Sequence, residues 1–394
     1  MISSLLPLLL ISSFSAQTYF KDNYTQSRQD FTRYNPEWAK EKLNHITAFK
    51  VPSEKDPDLT VDALLIGKPT DKNLVVIISG IHGAESFATT AVQHFFLSER
   101  AESFAKKNIS VLLVHAMNPY GFKYGRRVTE NNIDLNRNFY VADENFKSFD
   151  EINPSFRALQ DYLEPRRPVS SFIASFLHLA RGLIGELLFG KLNRQQVNNA
   201  VAGGQFEFPQ AIFYGGKKLE PQSEWLRDLL RQVFVGREKI VVLDLHTGLG
   251  DHGVLHLITG NPEQQLNDIL GPQFTTFVKN RSDIRLTTAT TPGFYKTNGD
   301  LLDYAHRLTL PNQKIVGLTL EYGTLGSRLV EQLRSLNRMI LENQGFHHGF
   351  ESARIQKEVQ QSFADLFNPP EESWRAEVME KADLFFTQLI SIFP

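Results

Sequence analysis

Residues 74–86 read LVVIISGIHGAES, a stretch that contains a candidate buried strand and the first polar residues after it. Residues 74–79 are almost entirely apolar, which is typical of a strand covered on both faces of a sheet. His82 and Glu85 follow at the point where open α/β sheets place their ligand sites. An imidazole and a carboxylate in one turn can converge on a single point, and zinc accepts both donors. For this motif alone, a chance surface pair is the alternative.

Similar apolar runs recur along the chain and alternate with segments of helical periodicity. The other candidate strands are 62–66, 110–115, 240–245, 254–258 and 315–322. The clearest helical patterns are 86–105, 224–235 and 325–342, with further helix expected in 19–49 and two helices in 351–394. This alternation predicts an α/β protein with a mixed, largely parallel central sheet flanked by helices.

Residues 240–250, IVVLDLHTGLG, place a second histidine at the end of a strand, before a glycine-rich turn. Together with His82 and Glu85, His246 completes a His-Glu-His set with a fourth position open, the pattern of catalytic zinc sites. Asp244 lies on the same face of the strand. It either orients a metal ligand or caps the following turn. A strand-end histidine bonded to a backbone carbonyl is the alternative for His246.

Residues 118–139, NPYGFKYGRRVTENNIDLNRNF, form a segment too rich in Asn and Gly for a long helix. Long structured loops with concentrated arginine are usually functional. Its guanidinium groups offer forked donors to a carboxylate or an oxyanion. A structural ion pair between Arg137 and Asp134 is the alternative.

Two later residues complete the candidate site. Tyr295 stands in a loop preceded by Pro-Gly, from which it could swing over a site. Glu321 ends an apolar strand, so its carboxylate is expected to be desolvated, with a raised pKa suited to a general base. A surface salt bridge is the alternative for Glu321.

Composition narrows the classes of function. The 394 residues are 41% hydrophobic and 22% charged, with a net charge of −2, so the overall balance indicates neither nucleic acid nor a membrane surface as a partner. The sequence contains no cysteine. Any transition metal must therefore be held by His, Asp or Glu.

The first residues resemble a secretory signal. Residues 1–17, MISSLLPLLLISSFSAQ, contain an apolar run and a small-residue stretch ending at Ala16, but no basic residue. Export predicts a periplasmic or secreted protein, with a cytoplasmic one as the alternative. We expect a single catalytic domain over 18–394, with a mainly helical insertion at about 139–236. The apolar stretch 171–190 carries charges, so no stable membrane span is expected.

Taken together and in this order, these pieces resemble the zinc carboxypeptidase superfamily, which also contains succinylglutamate desuccinylase and aspartoacylase. The likeness covers nearly the whole chain from about Tyr19. It is greatest to a bacterial branch described only as a domain of unknown function. The segments that carry this resemblance are RRVTENNIDLNRNF (126–139), QFEFPQAIFYGG (205–216), DLHTG (244–248) and LEYGT (320–324).

The resemblance implies a role for each candidate residue. His82, Glu85 and His246 match the zinc ligands, and Glu321 matches the catalytic glutamate. Arg127 resembles the arginine that polarises the scissile carbonyl, although Arg126 is adjacent and the spacing leaves the choice open. The remaining matches concern the substrate. Asn136 and Arg137 match the pair that holds the terminal carboxylate of the substrate, and Tyr295 matches the mobile tyrosine. Leu302 stands at the position that sets the side-chain preference.

The implied activity is hydrolysis of an amide bond next to a free carboxylate, with Zn²⁺ as the cofactor. A metallocarboxypeptidase acting on peptides is the first expectation. An N-acyl amino acid deacylase uses the same ligands and base and is the alternative. The third possibility is an inactive binding protein on the same scaffold. Loss of a ligand or of the base would mark it, and none is lost here.

Overall fold

The computed structural model describes residues 16–39, 43–139, 153–190, 192–291 and 297–393. Its centre is one sheet of eight strands in the order β1-β2-β4-β3-β5-β8-β6-β7. The strands are β1 Leu43–Lys50, β2 Thr60–Ile66, β3 Asn73–Ile78, β4 Ile109–His115, β5 Lys239–Thr247, β6 Leu255–Ile258, β7 Ile284–Thr287 and β8 Lys314–Tyr322. Each strand predicted from an apolar run is present, so the predicted fold class is confirmed.

The middle of the sheet is parallel. β3 pairs in parallel with β4 and β5, and β5 pairs in parallel with β8. The carboxyl ends of these strands therefore meet at one edge of the sheet. The register places His246 directly opposite Glu321. The turn that carries His82 and Glu85 leaves β3 at the same edge.

Antiparallel pairs at both sides make the sheet mixed. β1 pairs with β2, β2 with β4, and β6 with β8, all antiparallel. The prediction of helix throughout 19–49 is wrong beyond Thr32, because residues from Leu43 onward form β1. Its pairing with β2 supplies the backbone hydrogen bonds that a helix would have made internally.

Helices cover both faces of the sheet, with a hydrophobic cluster on each side. In chain order the helices are α1 Tyr24–Thr32, α2 Ser86–Glu99, α3 Ala101–Lys106, α4 Pro119–Tyr124, α5 Leu135–Asn138, α6 Pro154–Ala158, α7 Gln160–Leu163, α8 Phe172–Phe189, α9 Arg194–Ala202, α10 Pro221–Phe234, α11 Glu263–Leu270, α12 Pro272–Lys279, α13 Leu301–Arg307, α14 Leu329–His348, α15 Ala353–Phe367 and α16 Glu372–Ser391. The pattern predicted for 86–105 is interrupted at Arg100, which separates α2 from α3.

The described part of the segment predicted as an insertion, 139–236, contains five helices, α6 to α10, and α10 leads to β5. Apolar residues of α6 to α9 pack against α14 in a cluster separate from the two sheet-covering ones. By length and composition, α8 is the one helix among the described residues that could cross a membrane. Residues 1–15 of the proposed signal lie outside the described residues.

Candidate metal centre and active site

Three buried side chains converge where β3 and β5 end. His82 is 3% exposed, Glu85 2% and His246 4%. One ligand atom from each lies within 4.8 Å of the others. Nδ1 of His82 is 2.8 Å from Oε1 of Glu85, and Nδ1 of His246 is 3.0 Å from Oε2. The sequence-predicted ligand set is therefore brought together in space.

The turn after β3 owes its shape to a close backbone contact. His82 precedes a short 3₁₀ turn over Gly83–Glu85, which leads directly into α2. A Cβ at Gly83 would lie 2.2 Å from the backbone of Gly121, so only glycine fits there. The Gly83 amide also donates to the carbonyl of Arg127 at 3.0 Å. These contacts fix the histidine turn against the arginine-rich loop.

Each histidine also has a buried carboxylate at its outer nitrogen. Nε2 of His82 is 3.0 Å from Oδ1 of Asp134, and Nε2 of His246 is 2.8 Å from Oδ2 of Asp244. A metal bound at the two Nδ1 atoms would leave each Nε2 protonated and donating to its carboxylate. Of the two roles considered for Asp244, the contacts support orientation of a metal ligand.

The charges of the cluster suit a cation. Burial alone would raise the pKa of Glu85, but His82 and His246 hold it well below its usual range. Burial would lower the pKa of His246, but Asp244 and Glu85 hold it well above its ordinary value. Neutral imidazole nitrogens supported by carboxylates, together with a carboxylate oxygen, are the donors that Zn²⁺ takes. The residues present therefore fit a zinc ion.

The two adjacent arginines point to different places. The Arg127 guanidinium donates from Nη1 to Oε1 of Glu85 and from Nε to Oδ2 of Asp134, both at 3.2 Å. Its Nη2 lies 2.8 Å from Nε2 of His82. Arg126 instead donates to Glu342 at 2.8 Å and stacks on the ring of Phe346. Geometry thus favours Arg127 as the arginine of the site.

Asn136 and Arg137 lie beside the cluster, on α5. Nδ2 of Asn136 is 3.5 Å from Nε2 of His246, and its Oδ1 accepts from the Leu301 amide at 2.9 Å. Arg137 donates from Nε and Nη2 to the carbonyl of Ala202. The Asp134 carboxylate pairs with Arg127 and His82, so the alternative of an Arg137–Asp134 ion pair is not observed.

Glu321 approaches the cluster from the neighbouring strand. Its carboxylate is 7% exposed, and Oε1 accepts a hydrogen bond from the Leu249 amide at 2.8 Å. Burial and the negative charge of Glu85 raise the pKa of Glu321 to about 7. A carboxylate with a pKa near neutral pH is well matched to general-base work.

The structure does not place the other two predicted substrate residues, Tyr295 and Leu302, beside the cluster. Tyr295 lies outside the described residues. Leu302 is buried on α13, where it packs against Gly317 in the middle of β8, away from the end that carries Glu321. Its contacts are those of a core residue, and its assignment to side-chain preference stays a prediction.

Phe213 is a site residue that the sequence did not single out. It has a φ of 59°, in the left-handed region, and is 5% exposed. Its ring lies 5.7 Å from the Arg127 guanidinium and 6.0 Å from that of Arg137. Such cation–π contacts help to position arginine side chains. The QFEFPQAIFYGG segment had been noticed only for its resemblance, with no role assigned.

A mixed sheet whose parallel strand ends carry a buried His-Glu-His set defines an α/β protein with a candidate metal site at its carboxyl edge. The chain belongs to the family described as "Protein of unknown function (DUF2817)", whose model matches residues 20–381. The expected membership of a branch of unknown function is thereby confirmed. A search of curated proteins gives no match.

Several solved structures are similar in fold at low identity. Carboxypeptidase A from Helicoverpa armigera is 16% identical, with 81% of this chain and 72% of that chain covered and a TM-score of 0.41. Bovine thrombin-activatable fibrinolysis inhibitor is 14% identical, with 86% and 95% covered and a TM-score of 0.43. A metallo-carboxypeptidase from Burkholderia cenocepacia is 14% identical, with 84% and 70% covered and a TM-score of 0.41. None of these similarities assigns an activity to this chain.

Proposed function

We propose that this protein is a zinc-dependent hydrolase that cleaves an amide bond next to a free carboxylate, as a metallocarboxypeptidase. The observation that carries the proposal is the buried His82, Glu85 and His246 cluster with the Glu321 carboxylate on the adjacent strand. These three residues would hold the metal, which when bound supplies Lewis-acid polarisation of the substrate carbonyl and of water.

The remaining roles fall to side chains around the cluster. Glu321 removes a proton from water as the water oxygen attacks the amide carbonyl, and it passes that proton to the leaving amine. Arg127 stabilises the developing oxyanion. Asn136 and Arg137 hold the free carboxylate of the substrate. The burial of Glu321 supports its role, because it raises the carboxylate pKa toward neutrality.

An N-acyl amino acid deacylase is the second candidate, because contacts of the helical segment closely enclose Arg137. Arg137 donates to the carbonyl of Ala202, and a Cβ at Gly204 would lie 2.6 Å from Cδ of Arg137. Phe213 closes on the same guanidinium. A carboxylate site enclosed this closely suits a small substrate as well as a peptide terminus. An inactive binding protein is disfavoured, since every ligand and the base are present.

Mass spectrometry on the zinc-loaded protein tests these alternatives. The substrates are a mixture of free-acid peptides, the same peptides with C-terminal amides, and N-acyl amino acids. Stepwise loss of C-terminal residues from the free-acid peptides alone is the expected result. Release of acyl groups with intact peptides would instead assign the protein to the deacylases.

The Glu321→Gln variant, purified in parallel, controls for contaminating peptidases. Products that form equally with this variant do not come from the candidate site. If the wild-type protein binds zinc but converts no substrate of either class, the hydrolase proposal is wrong and the binding-protein alternative replaces it.

A further inference from the structure

Helix α8 presents an apolar face to solvent. The α8 face consists of five large side chains with exposures of 40–71%: Ile173, Leu177, Ile184, Leu187 and Leu188. Large apolar residues this exposed are ordinary when scattered, but a contiguous row on one helix marks an interaction surface. The face lies in the segment between β4 and β5 and has no part in the candidate metal centre.

The opposite side of α8 is anchored to the protein. Leu179 and Leu183 are buried in the cluster that includes residues of α14. A Cβ at Gly182 would lie 2.3 Å from the ring of Tyr162, so glycine permits close packing of α7 on this side. The helix is therefore held at the surface with its apolar row directed outward.

One positive charge lies beside the α8 face. It belongs to Arg181, which is exposed at the middle of the helix. Arg166, before the helix, is paired with Glu164 at 2.9 Å. The one acidic residue of the helix, Glu186, lies at the carboxyl end with Oε2 close to Gly190. An apolar helix face with an exposed arginine beside it suits the interface of an anionic membrane.

We propose that α8 docks this protein on an anionic lipid surface, with its axis in the plane of the membrane and the five apolar residues of the α8 face inserted. Two considerations favour lipid over a second copy of the chain. The apolar composition of α8 is compatible with contact with the acyl chains of a bilayer, and only 17% of the helix is buried in the protein. In a two-fold pairing through this face, Arg181 at the helix midpoint would lie near the Arg181 of the other copy. Lipid headgroups instead neutralise that charge.

Vesicle co-sedimentation of the full chain tests the proposal. The vesicles are phosphatidylcholine alone and phosphatidylcholine with phosphatidylglycerol, at low and high salt. We expect binding to the anionic vesicles, weakened by salt because the arginine contribution is screened. Leu177→Gln combined with Leu188→Gln should lower the partition coefficient at least about tenfold, since each loses the transfer free energy of a large apolar side chain.

A matched control replaces two exposed apolar residues elsewhere, Val235 and Leu310, which are 67% and 52% exposed. Val235→Gln with Leu310→Gln should leave vesicle binding unchanged. All the proteins carry the same N-terminal residues, so equal binding of both double variants and the wild type would place the lipid contact elsewhere and overturn the proposal. Absence of vesicle binding by the wild type overturns it as well.

Light scattering without lipid tests the alternative that a second copy of the chain covers the α8 face. The proposal expects no self-association through the α8 face. A wild-type dimer that Leu177→Gln with Leu188→Gln converts to a monomer, while the control pair does not, would assign the face to a second copy instead. Matching thermal unfolding of the variants establishes that they are folded.

Discussion

The fold buries two pairs of histidines, one at the carboxyl edge of the sheet and the other between α2 and β4. In the first pair, the rings of His82 and His246 are 4.8 Å apart, and both contact Glu85. Their outer nitrogens contact Asp134 and Asp244. Every one of these partners is a carboxylate, and the charges lower the pKa of Glu85 while raising that of His246, in each case against the effect of burial.

The second pair has neutral hydrogen-bonding partners. The rings of His94 and His115 are 5.6 Å apart, and Oγ of Ser27 lies 3.1 Å and 3.2 Å from their Nε2 atoms. Oε1 of Gln93 is 3.1 Å from Nδ1 of His115, and Phe31 stacks on the same imidazole. Burial lowers the pKa of His94 to about 4 and that of His115 well below its ordinary value.

The difference shows that burial and proximity alone do not make a metal site. Two imidazoles that face carboxylates form a cluster that attracts positive charge, because the carboxylates favour a proton on His246 and a metal cation can take the place of that proton. Two imidazoles that face a hydroxyl and an amide are already satisfied, and they serve as a polar part of the core. Partner charge, more than residue type, separates the two pairs.

The largest expected effect comes from the carboxylate beside the first pair. Glu321→Gln removes the proposed general base and should lower kcat by about 10²–10⁴-fold. Zinc content should stay at one ion per chain, since Glu321 is not among the three converging donors. Turnover and metal analysis on the same sample check both statements. His94→Gln, in the second pair, is the control and should leave turnover unchanged. Near-normal turnover of Glu321→Gln would remove this residue from the mechanism.

A somewhat smaller loss of kcat is expected when Arg127, which contacts the first pair, is replaced. Arg127→Ala should lower kcat by about 10²–10³-fold, because one oxyanion donor is lost. Arg126→Lys controls for the neighbouring position: Arg126 pairs with Glu342, so its change should affect stability and leave kcat of the folded protein intact. If kcat responds to Arg126→Lys and not to Arg127→Ala, the assignment of the two arginines is reversed.

The outer carboxylates should control metal affinity. Asp134→Asn and Asp244→Asn should each weaken zinc binding by about 10–100-fold, since each loses the charged partner that orients a ligating imidazole. Competition with a chromogenic chelator measures the affinity. Ser27→Ala changes the partner of the second pair and should leave it unchanged. If all three variants bind zinc as tightly as the wild type, Asp134 and Asp244 are structural hydrogen-bond acceptors and do not control metal affinity.

The sequence predicted the convergence of the first pair because its residues follow strand ends. Once the runs 74–79 and 240–245 are taken as parallel neighbours, His82, Glu85 and His246 must meet at one edge. The strand at Leu43–Lys50 could not be predicted in the same way. Its conformation depends on pairing with the edge of β2, and its own residues do not indicate that pairing.

The contacts that complete the site are equally invisible in the sequence. Asp134 lies 52 residues after His82, and their hydrogen bond depends on how the arginine-rich loop packs on Gly83. Phe213 owes its left-handed backbone to a segment that is hydrogen-bonded to the same loop, where the Tyr214 carbonyl accepts from the Asp134 amide. Such positions follow from tertiary packing.

The prediction with the least effect on activity lies in the second pair and concerns the pH dependence of stability. The folded-state pKa of His94 is about 4, below the ordinary value of 6.5. Below pH 6.5 the unfolded chain therefore binds more protons than the folded one, so the free energy of unfolding decreases as pH falls. The stability that neutral His94 contributes is fully present above pH 6.5. It decreases as pH falls below 6.5, and the loss is complete below about pH 4. The loss from this one group is at most about 3 kcal/mol.

Urea unfolding of the wild type and of His94→Gln across this pH range, with chelator present, isolates the effect. The chelator removes stability changes caused by metal release, and the groups of the first pair titrate alike in both proteins. As pH falls from neutral toward about pH 4, the free energy of unfolding of the wild type should therefore decrease relative to that of His94→Gln. A difference that stays constant with pH would mean that His94 titrates alike in the folded and unfolded chains. The neutral partners would then not keep the second pair uncharged, and the contrast with the first pair would rest on geometry alone.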